Sequence, residues 1–261
     1  MTRVLSALVL LTVVIGTVWF LPSWATLTLA VIAAAVAFLE YASIAERLGA
    51  RIPKVAAGAV VAAATVAAYG FVLAPVVVLT TGVILIGALA VASGQPGPAI
   101  LRDSTASLFP ALYIGLPLGA LAGIHATGGR EAVLLLMITI VISDSAQYYC
   151  GRAFGRRPLA PTISPKKTVE GAIGGVIFGT ATLAAAGTWV FPDAALPVLV
   201  VAGASIVVLG IVGDLFESLL KRSADVKDSS TLIPGHGGVL DRIDSWLFAG
   251  PMFFVFIVFL F

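Results

Sequence analysis

Residues 196–213 read L-P-V-L-V-V-A-G-A-S-I-V-V-L-G-I-V-G, and 214–222 continue D-L-F-E-S-L-L-K-R. No charge interrupts the first run, and about 20 such residues in an α-helix cross a bilayer core. The run reads as a membrane span that ends on a carboxylate. Comparable runs lie near 4–21, 24–43, 55–71, 76–93, 106–124, 132–150, 171–191 and 246–261, which with 196–216 makes nine spans. Composition agrees. Hydrophobic residues are 60% of the 261, mean hydropathy is +1.10, and charged residues are 11%, against roughly 25% in a soluble domain. So few charges cannot solvate a globule, which excludes a soluble enzyme, a disordered chain and a nucleic-acid binder. The expected fold class is all-α, a polytopic helical membrane bundle.

Charge sets the orientation. With the amino terminus in the cytoplasm, the inner side holds Arg3, Arg47, Arg51, Lys54, Arg102, Arg152, Arg156, Arg157, Lys166, Lys167, Lys221, Arg222, Lys227 and Arg242, and the outer side holds Arg130 alone. A wrong span count would scramble that asymmetry, so the positive-inside rule supports nine spans, N-in and C-out. The first run, Val4 to Leu21, exceeds the apolar core of a signal peptide and is flanked by Trp19 and Trp24, which fits a retained span with interfacial tryptophans. The single cysteine, Cys150, excludes an internal disulfide or a cysteine zinc cluster and reads as a small packing residue. Gly115, Gly119 and Gly123, and again Gly171, Gly175 and Gly179, recur four apart, the spacing of close helix packing in a bundle or of a homodimer face.

Two inner connections, 151–170 and 221–245, are far longer than a turn needs, and chemistry belongs in such loops. If the eighth span stays helical, Asp214, Glu217, Ser218 and Lys221 share one face. Glu217 and Lys221 are also spaced for an ordinary solvated i, i+4 pair. At 234–238, P-G-H-G-G allows positive φ and a backbone nest for an anion. Asp241 and Asp244 follow on the expected first turn of the ninth helix, where an N-terminal carboxylate is also structurally favoured. Carboxylates suited to Mg²⁺, cations and a glycine nest together describe polyphosphate chemistry at a membrane surface.

The 218–244 stretch resembles the signature of the phosphatidate cytidylyltransferases, carried here by Ser218, Lys221, Arg222, Lys227, Asp228, Ser230, Ile233, Pro234, His236, Gly237, Gly238, Asp241, Arg242 and Asp244. Ser230 departs from the glycine more usual there. A second region of that family is matched by Asp144, Gly151, Arg152, Gly155, Ser164, Pro165, Lys167, Thr168, Glu170 and Gly171, with Gln147 and Val169 as departures. The resemblance covers roughly 140–245. It implies transfer of CMP from CTP to phosphatidic acid, giving CDP-diacylglycerol and pyrophosphate, with Mg²⁺ as cofactor and a second cation left open. It also implies a bacterial inner membrane with the site facing the cytoplasm. One membrane-embedded catalytic unit is expected, with 1–130 as N-terminal spans and 131–261 as C-terminal spans bearing the catalytic loops.

By position in the motif, Asp214 and Asp241 are the expected metal carboxylates, with Asp244, His236 and Lys227 completing the catalytic group. His236 either protonates the departing pyrophosphate or orders its own turn. Substrate binding is expected of Asp144, Ser164, Lys166, Lys167, Thr168, Ser218, Lys221, Arg222, Gly237, Gly238 and Arg242. Glu40, an acid inside the second span, either buttresses the site or lines a lipid entrance. Two other classes stay open: a CTP-dependent lipid kinase or cytidylyltransferase for another lipid, and a transporter, whose acids would cluster nearer the midplane.

Overall fold

The computed structural model describes residues 2–70, 74–94, 96–233, 235 and 237–260, with side chains described from Leu8 onward. Pro234 and His236 lie outside the described residues. Nine α-helices are described: α1 Thr2–Phe20, α2 Ser23–Arg47, α3 Lys54–Gly70, α4 Ala74–Ala92, α5 Ala99–Pro110, α6 Leu116–Phe154, α7 Val169–Val190, α8 Leu196–Ser223 and α9 Leu240–Phe259. A single π turn, Ala111–Gly115, joins α5 to α6 directly after Pro110, where a missing N–H loosens the helical ladder. The described fold is all-α but for one small hairpin. Six helical stretches are long and apolar enough to cross a membrane: α2, α4, the run Ala99–Phe154, α7, α8 and α9; Leu8–Phe20 and Lys54–Gly70 are apolar but shorter. Trp189 is 84% exposed and Val91 81%, which suits hydrocarbon rather than water.

Several boundaries follow from local chemistry. α2 ends in a Schellman turn: Gly49 takes φ 85°, its N–H donates to Glu46 O (2.9 Å), and Ala50 N donates to Ala45 O (3.0 Å), satisfying carbonyls at the helix end. The expected outer connection between 124 and 132 is not a loop. Helix persists through it and is broken at Gly129 (φ 77°, ψ 178°), a conformation open to glycine alone.

The 151–170 connection, expected to be irregular, contains an antiparallel hairpin of β1 Pro158–Ala160 and β2 Ser164–Thr168, with Pro158 opposite Thr168 and Ala160 opposite Ser164. Pro158, Pro161 and Pro165 forbid helix there. Glu170 pins its start, accepting the backbone N–H of Arg156 (3.0 Å) and Arg157 (3.2 Å). Thr168 caps α7 by accepting Gly171 N (3.1 Å).

The chain forms two compact units, Met1–Ala126 with Ser223–Arg242, and Thr127–Arg222 with Ile243–Phe261. In the first unit α3 packs against α2, α4 and the π turn. A Cβ on Gly115 would stand 2.7 Å from Val61 O, and one on Gly119 would overlap Thr65 O. In the second unit α7 lies against α6 and α8 in the same manner. A Cβ on Gly175 would meet Gln147 and Ser143, one on Gly174 would meet Cys150 Sγ at 2.5 Å, and one on Gly179 would meet Val207 Cγ2 at 2.5 Å. Gly115 and Gly119, and likewise Gly175 and Gly179, therefore serve helix packing, and Cys150 is a packing residue.

Gly119→Ala should destabilise the protein by about 1–3 kcal/mol through backbone overlap. Gly87→Ala has nothing within 4 Å and should instead stabilise α4 by up to about 1 kcal/mol. Thermal denaturation in detergent reads both signs; a neutral Gly119→Ala would contradict the packing described.

Candidate active site

The first unit contains the loop between α8 and α9. Asp225, at φ 54°, turns the chain out of α8, and Gly235 and Gly237 adopt φ 77° and 79°, as the glycine pattern requires. Ile233 N donates to Gly237 O (2.8 Å), closing a tight turn. With almost no regular structure, the loop must find partners for its N–H groups elsewhere. Glu40 supplies them. It is buried in α2 (6% exposed) and accepts Ser230 Oγ (2.7 Å) and Val239 N (3.0 Å) on Oε1, and Leu240 N (2.7 Å) on Oε2. A carboxylate nearly two hundred residues away in sequence thus caps the N-terminus of α9, where it also meets the positive end of the helix dipole.

Asp241, in the first turn of α9, points back into the same loop. Its Oδ2 accepts Ser229 N and Gly238 N, both at 2.8 Å, and the Ser229 hydroxyl lies 2.8 Å from that oxygen and 3.1 Å from Glu40 Oε2. Hydrogen bonds of this kind fix the orientation of a carboxylate. They also commit the Gly238 amide to Asp241, so this N–H is turned inward rather than offered to a phosphate. A Cβ on Gly238 would collide with both Ser229 Oγ and Glu40. Lys227, Asp228 and Arg242 are exposed on this loop and helix, and Gly237 is half-buried.

The second unit carries a separate group of charges. Lys167 of β2 pairs with Asp214 of α8, both partly exposed, and Ser218 lies one turn on, 3.5 Å from Asp214 Oδ1. Asp214's charge acts on Asp144 of α6 and on Asp244 of α9, and Lys167 acts on both as well. Asp144 accepts Gln147 Nε2 (3.0 Å), and Asp244 accepts Ser245 N (2.7 Å). Gly213 makes room beside Asp214: a Cβ there would stand 2.6 Å from Asp244 O.

Glu217 and Lys221 form the i, i+4 pair that their spacing predicts, but not at a solvated helix end. Glu217 is fully buried and the Lys221 side chain is 10% exposed, so the pair is internal. Arg222 and Lys166 are exposed, and Ser164 and Thr168 are half-buried in the hairpin, Thr168 as the α7 cap. Gly151 and Gly171 of the matched region have a packing reason: a Cβ on Gly151 would stand 2.9 Å from Thr168 Oγ1, and one on Gly171 would stand 2.6 Å from Gln147 O.

Two contributors escaped the sequence reading. Ser229 is the hydroxyl between two carboxylates; its serine pair with Ser230, placed after two charged residues, was the available signal. Gly213 permits the approach beside Asp214 and has no signal short of knowing which helices touch. Glu170, named in the matched region, gets its task from the structure: it holds the hairpin.

Glu40→Gln would set an amide NH₂ against the Val239 or Leu240 N–H. The loss should be about 1–3 kcal/mol, read as faster hydrogen exchange of the 229–240 amides and a lower melting temperature. Ser230→Ala removes one bond and should cost less. Unchanged exchange in Glu40→Gln would contradict the cap.

An uncharacterised protein, YnbB, of Escherichia coli K12 is 45% identical over 130 residues, 50% of this chain and 43% of that one. The phosphatidate cytidylyltransferase of Haemophilus influenzae is 45% identical over 137 residues, 50% of this chain and 47% of its own. That of Helicobacter pylori J99 is 38% identical over 154 residues, 59% and 57%. The chain spans about half the length of the curated relatives it matches. The profile of the cytidylyltransferase family matches residues 1–260, and the chain belongs to that family.

Proposed function

We propose that the protein is an integral membrane phosphatidate cytidylyltransferase, joining the phosphate of phosphatidic acid to the CMP part of CTP and releasing pyrophosphate. The observation that carries this reading is the 229–241 loop. Glu40 and Asp241 hold it in one conformation, and it carries the residues that resemble the phosphatidate cytidylyltransferase signature.

The lipid phosphate is an anion at neutral pH, so its oxygen attacks the α-phosphorus of CTP without a strong base while the bond to the β-phosphate breaks. The difficulty is repulsion between anions, and the solution is positioning and neutralised charge. Asp214 and Asp241 are each assigned as carboxylate ligands of Mg²⁺. Hard oxygens suit that ion, and the bonds on Asp241 Oδ2 orient its carboxylate. Among the described residues no group of three or more His, Cys, Asp or Glu side chains could hold a metal. Mg²⁺ keeps several waters and takes ligands from substrate phosphates, so it needs few protein carboxylates. When bound, Mg²⁺ supplies neutralisation of the attacking and leaving oxygens. Lys167 holds Asp214 and turns to phosphate, exposed Arg222, Lys227 and Arg242 draw the triphosphate in, and Asp144 and Asp244 tune the charge around Asp214.

Counting α1, α3 and both sides of the Gly129 break as passes gives nine, with the amino terminus and the 151–170 and 221–245 segments in the cytoplasm of a bacterial inner membrane. In a Cys150→Ala background, a cysteine at the exposed Thr231 should label only from the cytoplasm and one at Thr127 only from outside; reversal at either site refutes the topology.

With labelled CTP and phosphatidate, Asp214→Asn and Asp241→Asn should each cut CDP-lipid formation by on the order of 10²-fold or more at saturating CTP. Lys167→Arg should mainly raise the CTP requirement. Full activity in Asp241→Asn at ordinary Mg²⁺ removes it from the metal site.

A further inference from the structure

Residues 145–169, the last turns of α6 and the hairpin of the second unit, carry five cations and no acid. Two of the five are matched, Lys167 by Asp214 and Arg157 by Glu170. Glu170 is occupied further by the backbone N–H groups of Arg156 and Arg157. Arg152, Arg156 and Lys166 are exposed and, among the described residues, form no ion pair. The nearest acid back along α6 is Asp144, about 12 Å before Arg152 on the helix axis, where the charge of Lys167 already acts on it. Sidedness alone asks only for positive charge somewhere in this connection. The structure adds an arrangement. Gln147, Cys150 and Gly151 face α7, since Cβ atoms on Gly175, Gly174 and Gly171 would meet them. Tyr148, Tyr149 and Arg152 stand on the remaining surface of α6, with the tyrosines 60% and 67% exposed. The two rings pack edge to face, centroids 5.2 Å apart. Arg152 Nη1 lies 3.4 Å from the Tyr148 hydroxyl, one turn deeper in α6, the direction in which helical side chains lean.

We propose that Tyr148, Arg152 and Arg156 form a site for the headgroup phosphate of an anionic membrane lipid, a component of the bilayer and not a reactant. Guanidinium groups donate to phosphate oxygens, and the Tyr148 hydroxyl, which accepts from Arg152, keeps its own proton to donate. Amphipathic tyrosine rings on a membrane helix sit at the level of the headgroups. Arg156 is two residues past the end of α6, so it stays within the Debye length of the surface, about 8 Å at physiological salt. Net charge selects among lipids. Two guanidiniums with no acid between them repel the ammonium of a zwitterionic headgroup and attract a headgroup charged by phosphate alone. A soluble triphosphate is the other phosphate source, but exposed rings beside the arginines suit a bilayer surface and not an ion in water. The site also reaches the chemistry: the Arg156 amide is bonded to Glu170, which pins the hairpin that carries Lys167. A bound headgroup thus steadies the strand whose lysine pairs with Asp214.

Two measurements test it. First, the protein in phosphatidylcholine vesicles is irradiated with phosphatidylglycerol carrying a diazirine close to its headgroup, or with phosphatidylcholine carrying the same group. Adducts in 145–157 from phosphatidylglycerol should exceed those from phosphatidylcholine several-fold, fall as salt rises, and be competed by unlabelled phosphatidylglycerol but not by CTP with Mg²⁺. Arg152→Gln with Arg156→Gln should lower this labelling about fivefold or more, since each cation near an anionic surface contributes roughly that factor. Arg152→Lys with Arg156→Lys keeps the charge and should keep most of the labelling. Arg47→Gln with Arg51→Gln removes two exposed cations at the end of α2 and should leave it unchanged. Equal labelling by the two lipids, competition by CTP, or an equal fall in the Arg47 and Arg51 variant overturns the proposal. Second, CDP-lipid formation is measured in vesicles with and without phosphatidylglycerol. The unaltered protein should be stimulated, and the Arg152→Gln, Arg156→Gln variant should lose the stimulation while keeping its KM for phosphatidate in phosphatidylcholine alone. A raised KM there would make this the reactant's site and overturn the proposal. Labelling needs no turnover, so a chain that captures the anionic lipid yet makes no CDP-lipid would refute the reaction and leave the headgroup site standing.

Discussion

A carboxylate inside an apolar helix is the constraint around which the first unit is arranged. Glu40 is removed from water, and an unpaired charge at such a depth costs several kcal/mol. It is retained because three donors converge on it, the Ser230 hydroxyl and the two amides that open α9, while the single proton of Ser229 is shared between it and Asp241. The dependence is mutual. The 229–239 segment has no ladder of its own, so its N–H groups must be met by side chains, and charge-assisted bonds are the strongest available. Asp241 closes the circuit from the other side by binding back to Ser229 and Gly238. Two acids then share one hydroxyl, an arrangement tolerated because the helix amides and their dipole supply the compensating positive potential.

This circuit also explains why the segment is so particular in sequence. A side chain at Gly238 would enter the space held by Ser229 and Glu40, and the positive φ at Gly235 and Gly237 excludes most other residues. The glycines bring backbone close to carboxylate first, and an anion nest is only one use of such a turn. α9 then begins where Glu40 caps it, carrying Asp241 in its first turn and Asp244 one turn further on. The cap fixes the start of the helix, and the start fixes which way both aspartates face.

The apolar helices were legible because hydropathy is a local property of the chain, and so were the carboxylates that stand near helix ends. The run 196–213 announces α8, and Asp214 stands where that reading placed it. What needs knowledge of contacts was not legible. The hairpin was hidden because prolines at 158, 161 and 165 mark a break in helix without saying what replaces it. Helix persists to Gly129 although the surrounding residues are polar enough to read as a loop. Glu217 and Lys221 were recognisable as a pair but not as a buried one, since spacing gives partners and only tertiary packing gives depth. Glu40 was visible as an anomaly, yet its partners lie about 190 to 200 residues away in sequence.

The pairing of Lys167 with Asp214 brings electrostatics and chemistry together. Neither residue can lose its partner cheaply in a poorly solvated setting, because the survivor is left as an uncompensated charge. On the proposed reaction the incoming substrate brings both replacements at once: phosphate oxygens for the lysine and an accompanying cation for the aspartate. The pair opens by exchange, with no charge left bare. Lipid phosphate alone would satisfy the lysine and strand Asp214; the cation alone would satisfy Asp214 and strand the lysine. On that proposal, a site balanced in this way would favour the metal-bound nucleotide over either component, the selectivity coming from two charges that satisfy each other when the substrate is absent.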